Sequence, residues 1–219
     1  MTNISRVFTS RQETRAFYDK ISAFYDALSD RSEAPVRMAA LDTLAAANAE
    51  CILEIGSGTG HGVDAVGRAV GCEGLIVAVD LSERMLRRAR AFVDKDGVMP
   101  SAQFVCGDGL QLPIRSGCFD AVFMTFTLEL FDTPEIPTVL DECRRVMTAN
   151  GRIVVAAMSK EGPADAMLEV YEWSHRHFPN FVDCRPIFLS EALESSGFRI
   201  ERKTRVEMWV PVEIVLARV

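Results

Sequence analysis

The sequence predicts an α/β fold, a doubly wound and mostly parallel sheet of seven strands with helices on both faces and a C-terminal antiparallel hairpin. Three observations carry this. Short apolar runs alternate with amphipathic helical stretches between residues 51 and 158. The first three runs lead into glycine or a carboxylate, as buried strands do where they turn. Residues 198–219 then hold two strand-like runs with no helix between them, which makes that pair antiparallel.

The elements follow in order. Ser10 to Leu28 carries Phe17, Ile21, Phe24, Tyr25 and Leu28 at helical spacing. Pro35 opens a second helix to about Asn48, since proline suits a first turn. Cys51 to Ile55 is a buried strand, and a helix follows over 60–70. Leu75 to Val79 is the second strand, ending at Asp80. Ser82 caps the next helix, whose apolar face is Met85, Leu86, Ala89, Phe92 and Val93. Strands follow at 102–106 and 119–125. Pro134 enters a helix striped by Ile136, Val139, Leu140, Cys143 and Val146, which Asn150-Gly151 ends. Ile153 to Ala157 is the fifth strand. Beyond it, 163–178 reads as helix and 190–196 as a short helix stopped by Gly197. Pro211, near the start of the last strand, predicts an edge or a bulge. The single domain thus divides into a helical cap (1–48), a core (49–158), a lid-like insertion (159–187) and a final helix with its hairpin (188–219).

A chain of 219 residues suits one domain with a full core. Its net charge of −7 and pI near 5.1 argue against nucleic acid as the main partner. The six cysteines, Cys51, Cys72, Cys106, Cys118, Cys143 and Cys184, show no C-x-x-C spacing and no zinc pattern. Reduced thiols and a cytoplasmic location follow as expectations. No apolar run approaches the roughly 18 residues of a membrane span, which leaves only peripheral membrane contact open.

The strongest local signal is Glu54-Ile55-Gly56-Ser57-Gly58-Thr59-Gly60-His61-Gly62, between a strand and a helix. That is the end of an open α/β sheet where ligands bind. A dinucleotide fingerprint would need its third glycine where this chain has His61 or Val63. The chain instead has an acidic residue followed by G-x-G-x-G. Asp80, at the end of the second strand, can accept both ribose hydroxyl hydrogens. Asp108, in Cys106-Gly107-Asp108-Gly109-Leu110, can accept the adenine amino hydrogens. Acidic groups at three successive strand ends outline a nucleoside-shaped site.

These residues resemble the class I S-adenosylmethionine-dependent methyltransferases, which are Rossmann-like enzymes. The branch of the ubiquinone and menaquinone biosynthesis C-methyltransferases is the most similar. The resemblance covers residues 17–158 through LEIGSGTG (Leu53 to Gly60), VDLSERML (Val79 to Leu86), CGDGLQLP (Cys106 to Pro113), FDAVFMTFTLELF (Phe119 to Phe131) and RVMTANGRIVV (Arg145 to Val155). It implies S-adenosylmethionine as cofactor, S-adenosylhomocysteine as product and no metal. Gly56 and Gly58, with Ser57 and Gly60 of the same loop, would face the methionine portion, and Glu54 its amino group. Asp80 would hold the ribose, with Leu81 beside the adenine. Asp108, Gly109 and Leu110 would read the adenine edge. Thr125 and Phe126 would border the transfer site, and Tyr18 and Tyr25 would cover the cofactor.

The implied acceptor is a small molecule, aromatic or quinone-like, with a phospholipid amine or another small metabolite as the alternative. A nicotinamide oxidoreductase and a non-catalytic cofactor-binding protein are the rival classes. A general base is required only if the nucleophile arrives protonated. Glu129 and His175 are the leading candidates, with His61 and His177 behind them.

Overall fold

The computed structural model describes residues 6–7, 10–23, 25, 31–96, 102–161 and 184–219. The helix expected at 163–178, with His175 and His177, lies outside these residues, as does most of the insertion at 159–187.

Seven strands form one sheet: β1 (Cys51–Ile55), β2 (Leu75–Asp80), β3 (Ala102–Cys106), β4 (Phe119–Thr125), β5 (Met147–Met158), β6 (Arg199–Glu207) and β7 (Pro211–Arg218). Their order is β3-β2-β1-β4-β5-β7-β6. The first five run parallel, and β7 lies antiparallel between β5 and β6. The winding reverses between β1 and β4, which opens a crevice at the carboxyl ends of the strands. Among the described residues six helices surround the sheet: α1 (Arg11–Ile21), α2 (Arg31–Leu44), α3 (His61–Val70), α4 (Glu83–Val93), α5 (Ile136–Val146) and α6 (Leu189–Ser195).

Strand alternation sorts the core into two layers. Leu53 and Ile55 of β1 pack with Val122, Met124 and Val155 beneath Val139 and Leu140 of α5 and Leu193 of α6. Ile52 points the other way, with Phe123 and Val154, against Val36 of α2 and Val63 and Val66 of α3. Both faces are covered, so the central strands are largely apolar, with Glu54 buried in β1 and Asp120 half-buried in β4.

Several boundaries differ from the sequence reading. Helix α2 begins at Arg31, so Pro35 lies inside it instead of opening it. It stops at Leu44, short of Asn48. Ala45 turns left-handed (φ 48°), and Arg152 Nε donates to the Leu44 carbonyl at 2.9 Å. The helix after β4 starts at Ile136 with Pro137 in its first turn, in place of Pro134. It ends at Val146, before Asn150-Gly151, because Met147 already pairs with Phe119 and β5 runs from there. Pro211 is not on an edge strand. It occupies the first position of interior β7, where a missing ladder donor costs little, and the irregularity lies in β6 at Ile200/Arg202.

Helix α1 buries no side chain. A capping box between Ser10 and Glu13 starts it. Near its other end Asp19 accepts from Ser82 Oγ at 2.6 Å and from the Arg84 N–H at 3.3 Å. Among the described residues, no helix is long and apolar enough to cross a membrane. None of the six cysteines is joined in a disulfide.

Candidate active site

The loop after β1 sets the floor of the crevice. The Gly56 N–H donates to the Val79 carbonyl at 2.8 Å and ties the loop to the exit of β2. At Gly58 the backbone is left-handed (φ 53°) and a Cβ would meet nothing within 4 Å, so this glycine faces open space. Its N–H donates to Asp80 Oδ2 at 2.9 Å, and the Ser82 N–H donates to Asp80 Oδ1 at 2.8 Å. Burial pushes the Asp80 carboxyl up to about 6, while those two hydrogen bonds pull it the other way. Gly60 caps α3 at φ 96°, and a Cβ there would sit 2.8 Å from the Ala89 backbone. Asp108 Oδ1 accepts the Leu110 N–H at 3.0 Å.

A cleft of about 690 Å³, open to solvent, lies above these groups. Of the residues expected at the cofactor, Gly56, Gly58, Asp80, Leu81, Asp108 and Gly109 line it, with Thr125 and Phe126. Tyr18 and Tyr25 close its upper side, their rings 6.2 Å apart. Glu54, Ser57, Gly60 and Leu110 stand behind the lining. Glu54 is fully enclosed against α3, with its Oε1 where a Gly62 Cβ would be. Burial pushes its carboxyl up to about 8, opposed by Arg37 and reinforced by Asp80.

Sequence reading missed Arg11, Thr14, Met85, Thr127, Leu130 and Phe131, all of which line the cleft. A signal existed for two of them: Arg11, Thr14 and Tyr18 share one helical face by spacing. Phe126, expected at the transfer site, has a feature visible only in coordinates. It holds a left-handed φ of 51° on the cleft wall, a conformation costing roughly 1–3 kcal/mol that tends to mark functional sites.

The candidate bases are placed differently from expectation. Glu129 has no exposed surface and does not line the cleft. Its Oε1 accepts the Met158 N–H at 3.1 Å, and its Oε2 has no partner. Burial pushes it up to about 8, and nearby Glu33 adds to this while Arg185 opposes it. Arg185 is itself buried, donating to Thr133 Oγ1 at 3.1 Å and to the Phe131 carbonyl at 2.5 Å. His61 begins α3, off the cleft, with its ring 4.4 Å from that of Phe92. His175 lies outside the described residues. Among the described residues no three His, Cys, Asp or Glu side chains are grouped to hold a metal.

The chain matches the model of a methyltransferase domain over residues 52–151, the span that supplies most of the lining of this cleft. Over that span the chain carries a methyltransferase domain, and its curated relatives are methyltransferases. It is 31% identical to a malonyl-[acyl-carrier protein] O-methyltransferase of Laribacter hongkongensis, over 87% of this chain and 65% of that one. It is 29% identical to the demethylmenaquinone methyltransferase of Lactococcus lactis, over 90% and 86%. In fold it is similar to the 1,6-didemethyltoxoflavin-N1-methyltransferase of Burkholderia thailandensis, solved with 1,6-didemethyltoxoflavin and S-adenosylhomocysteine. That likeness has a TM-score of 0.72 and 17% identity, and covers 98% of this chain and 94% of that one. The methyltransferase spans less than two thirds of several curated relatives, 65% of the Laribacter enzyme and 60% and 51% of two ubiquinone/menaquinone C-methyltransferases.

S-adenosylmethionine is accordingly the cofactor of this methyltransferase. The residues present fit it: the loop is open above Gly58, and a carboxylate is fastened at the end of β2. None of these relatives supports a nicotinamide oxidoreductase.

Proposed function

We propose that this methyltransferase moves the sulfonium methyl group of S-adenosylmethionine to a small aromatic or quinone-like acceptor. One observation carries the reading: a single cleft joins the carboxylates at the ends of β2 and β3 to an aromatic chamber of Tyr18, Tyr25, Phe126 and Phe131. Three of the curated relatives above carry a demethylmenaquinone or ubiquinone/menaquinone name, which supports the acceptor class.

Asp80 would accept from the ribose hydroxyls and Asp108 from the adenine amino group. Gly56 and Gly58 would let the methionine portion approach the loop backbone. Thr125, Phe126 and the two tyrosines would wall the transfer site. Bound S-adenosylmethionine supplies an electrophilic methyl group. The chain's own contribution is alignment and exclusion of water. Residues 1–48 act as the cap that completes the chamber over the core of 49–158. We assign Glu129 a supporting role, fastening the exit of β4 to the end of β5, because its hydrogen bond is to Met158 and its side chain is outside the lining. A cytoplasmic location and the absence of a nucleic-acid partner complete the reading, in line with the net charge of −7.

Calorimetric titration with S-adenosylmethionine and S-adenosylhomocysteine tests the site, and release of S-adenosylhomocysteine across an acceptor panel tests the acceptor. Micromolar cofactor binding and turnover with phenols or quinols are expected. Turnover only with amino-lipids or other metabolites would refute the acceptor class. Binding without turnover on any acceptor would point to a non-catalytic protein.

A further inference from the structure

The nucleobase end of the cleft holds a side chain that no sequence motif marks. Arg11, the first residue of α1, lays its guanidinium over the Phe131 ring, 4.4 Å from the centroid. Its Nη2 is tied to Glu135 at 2.5 Å. Its Nε is buried, makes no hydrogen bond, and lies 3.5 Å from Asp108 Oδ2. The other carboxylate oxygen of Asp108 already accepts from the Leu110 N–H. Phe131 packs in turn on Gly109, its Cζ 2.9 Å from where a Gly109 Cβ would be. The guanidinium is thus held at two points, with one unused donor beside a carboxylate oxygen of the cleft-lining Asp108.

We infer that Arg11 is a specificity residue for the purine base: its Nε–H and Asp108 Oδ2 form a donor–acceptor pair that reads the adenine edge. This rests on the cofactor reading proposed above. Adenine presents an amino donor next to a ring-nitrogen acceptor, and a donor beside a fixed acceptor is the complement of that edge. A 6-oxo purine reverses the edge. Its carbonyl would face the Asp108 carboxylate, and its ring N–H would face the Arg11 donor. Both pairs of groups would be left unmatched in a partly buried place, which is how polar sites reject a close analogue.

The test is titration of the full chain with S-adenosylhomocysteine and its 6-oxo counterpart, S-inosylhomocysteine. Wild type prefers the adenine ligand. Arg11→Met lowers that preference by about tenfold, because the clash with the inosine N–H goes with the donor. Arg11→Lys, which keeps a donor, lowers it less. Because α1 buries no side chain, these variants leave the core intact, which thermal melts will register. An unchanged preference in Arg11→Met overturns the inference. Equal weakening of both ligands also overturns it, since that is the effect of merely loosening α1. Failure of wild type to bind S-adenosylhomocysteine would count against the cofactor reading itself and is distinguishable from either result.

Discussion

Asp80 is held by two backbone N–H groups, yet it keeps its proton up to about pH 6 because the cleft wall strips its water. Only the charged form accepts from both ribose hydroxyls. Cofactor affinity is therefore constant above pH 6 and falls by about tenfold per unit below it, a profile that calorimetry across pH 5–8 will trace. Asp80→Ala weakens binding by about 10–100-fold, the loss expected for hydrogen bonds to a charged acceptor. The glycines of the loop divide by a similar physical contrast. Gly60→Ala drives a Cβ into the Ala89 backbone and costs about 2–4 kcal/mol of stability in a urea melt. Gly58→Ala has the same left-handed strain but open space above it. It costs only about 1 kcal/mol of stability while obstructing the cofactor, so affinity falls more than stability.

At the scale of elements, the cap and the core are held by different means. Helix α1 touches its neighbours through ion pairs and caps, and exposed ion pairs contribute little each. Amide hydrogen exchange should therefore find α1 opening well before β1 or β4, and S-adenosylhomocysteine should slow α1 selectively. Helix α2 packs by contrast into the core, and Arg202 and Arg152 donate to the carbonyls of Thr43 and Leu44 in its last turn. Arg152 reaches the Leu44 carbonyl and pairs with both oxygens of Glu50, at 2.7 and 2.8 Å. Arg152→Ala leaves these groups half-buried without their donor and lowers stability by about 2 kcal/mol. The role of Glu129 is tested at this scale too. If it only fastens β4 to β5, Glu129→Gln keeps kcat within about threefold, whereas a general base would lose about 100-fold or more.

For the whole molecule, two enclosed carboxyls dominate the response to pH. Glu54 and Glu129 are both pushed up to about 8 by burial. In the unfolded chain they release their protons near the ordinary glutamate value of about 4.3. Between these limits the native state binds more protons than the unfolded state, so stability is full below the lower limit and falls as pH rises through the upper one. Thermal melts should therefore show a lower Tm at pH 8.5 than at pH 5.5. Glu129→Gln, which keeps the shape and removes the charge, should flatten that slope. The apo protein and the cofactor thus make opposite demands on protonation, and bound ligand offsets the cost of the Asp80 charge.

Much of this protein was legible in one dimension because its signals are local. Short apolar runs locate all seven strands, a helical stripe gives the buried face of α5, and the glycine loop with Asp80 and Asp108 follows from chemistry at strand ends. Those features depend on residues near one another in the chain. The other decisions depend on residues far apart. Arg152 ends α2 from more than a hundred positions away. The pairing of Phe119 with Met147 draws the end of α5 into a strand. Glu129 became a buried fastening only because Met158 and Arg185 close over it. Arg11 reaches the purine end of the cleft only because Phe131 and Glu135 receive it there. Burial and long-range partners set the roles of such side chains, and neither is written in the spacing of neighbours along the chain.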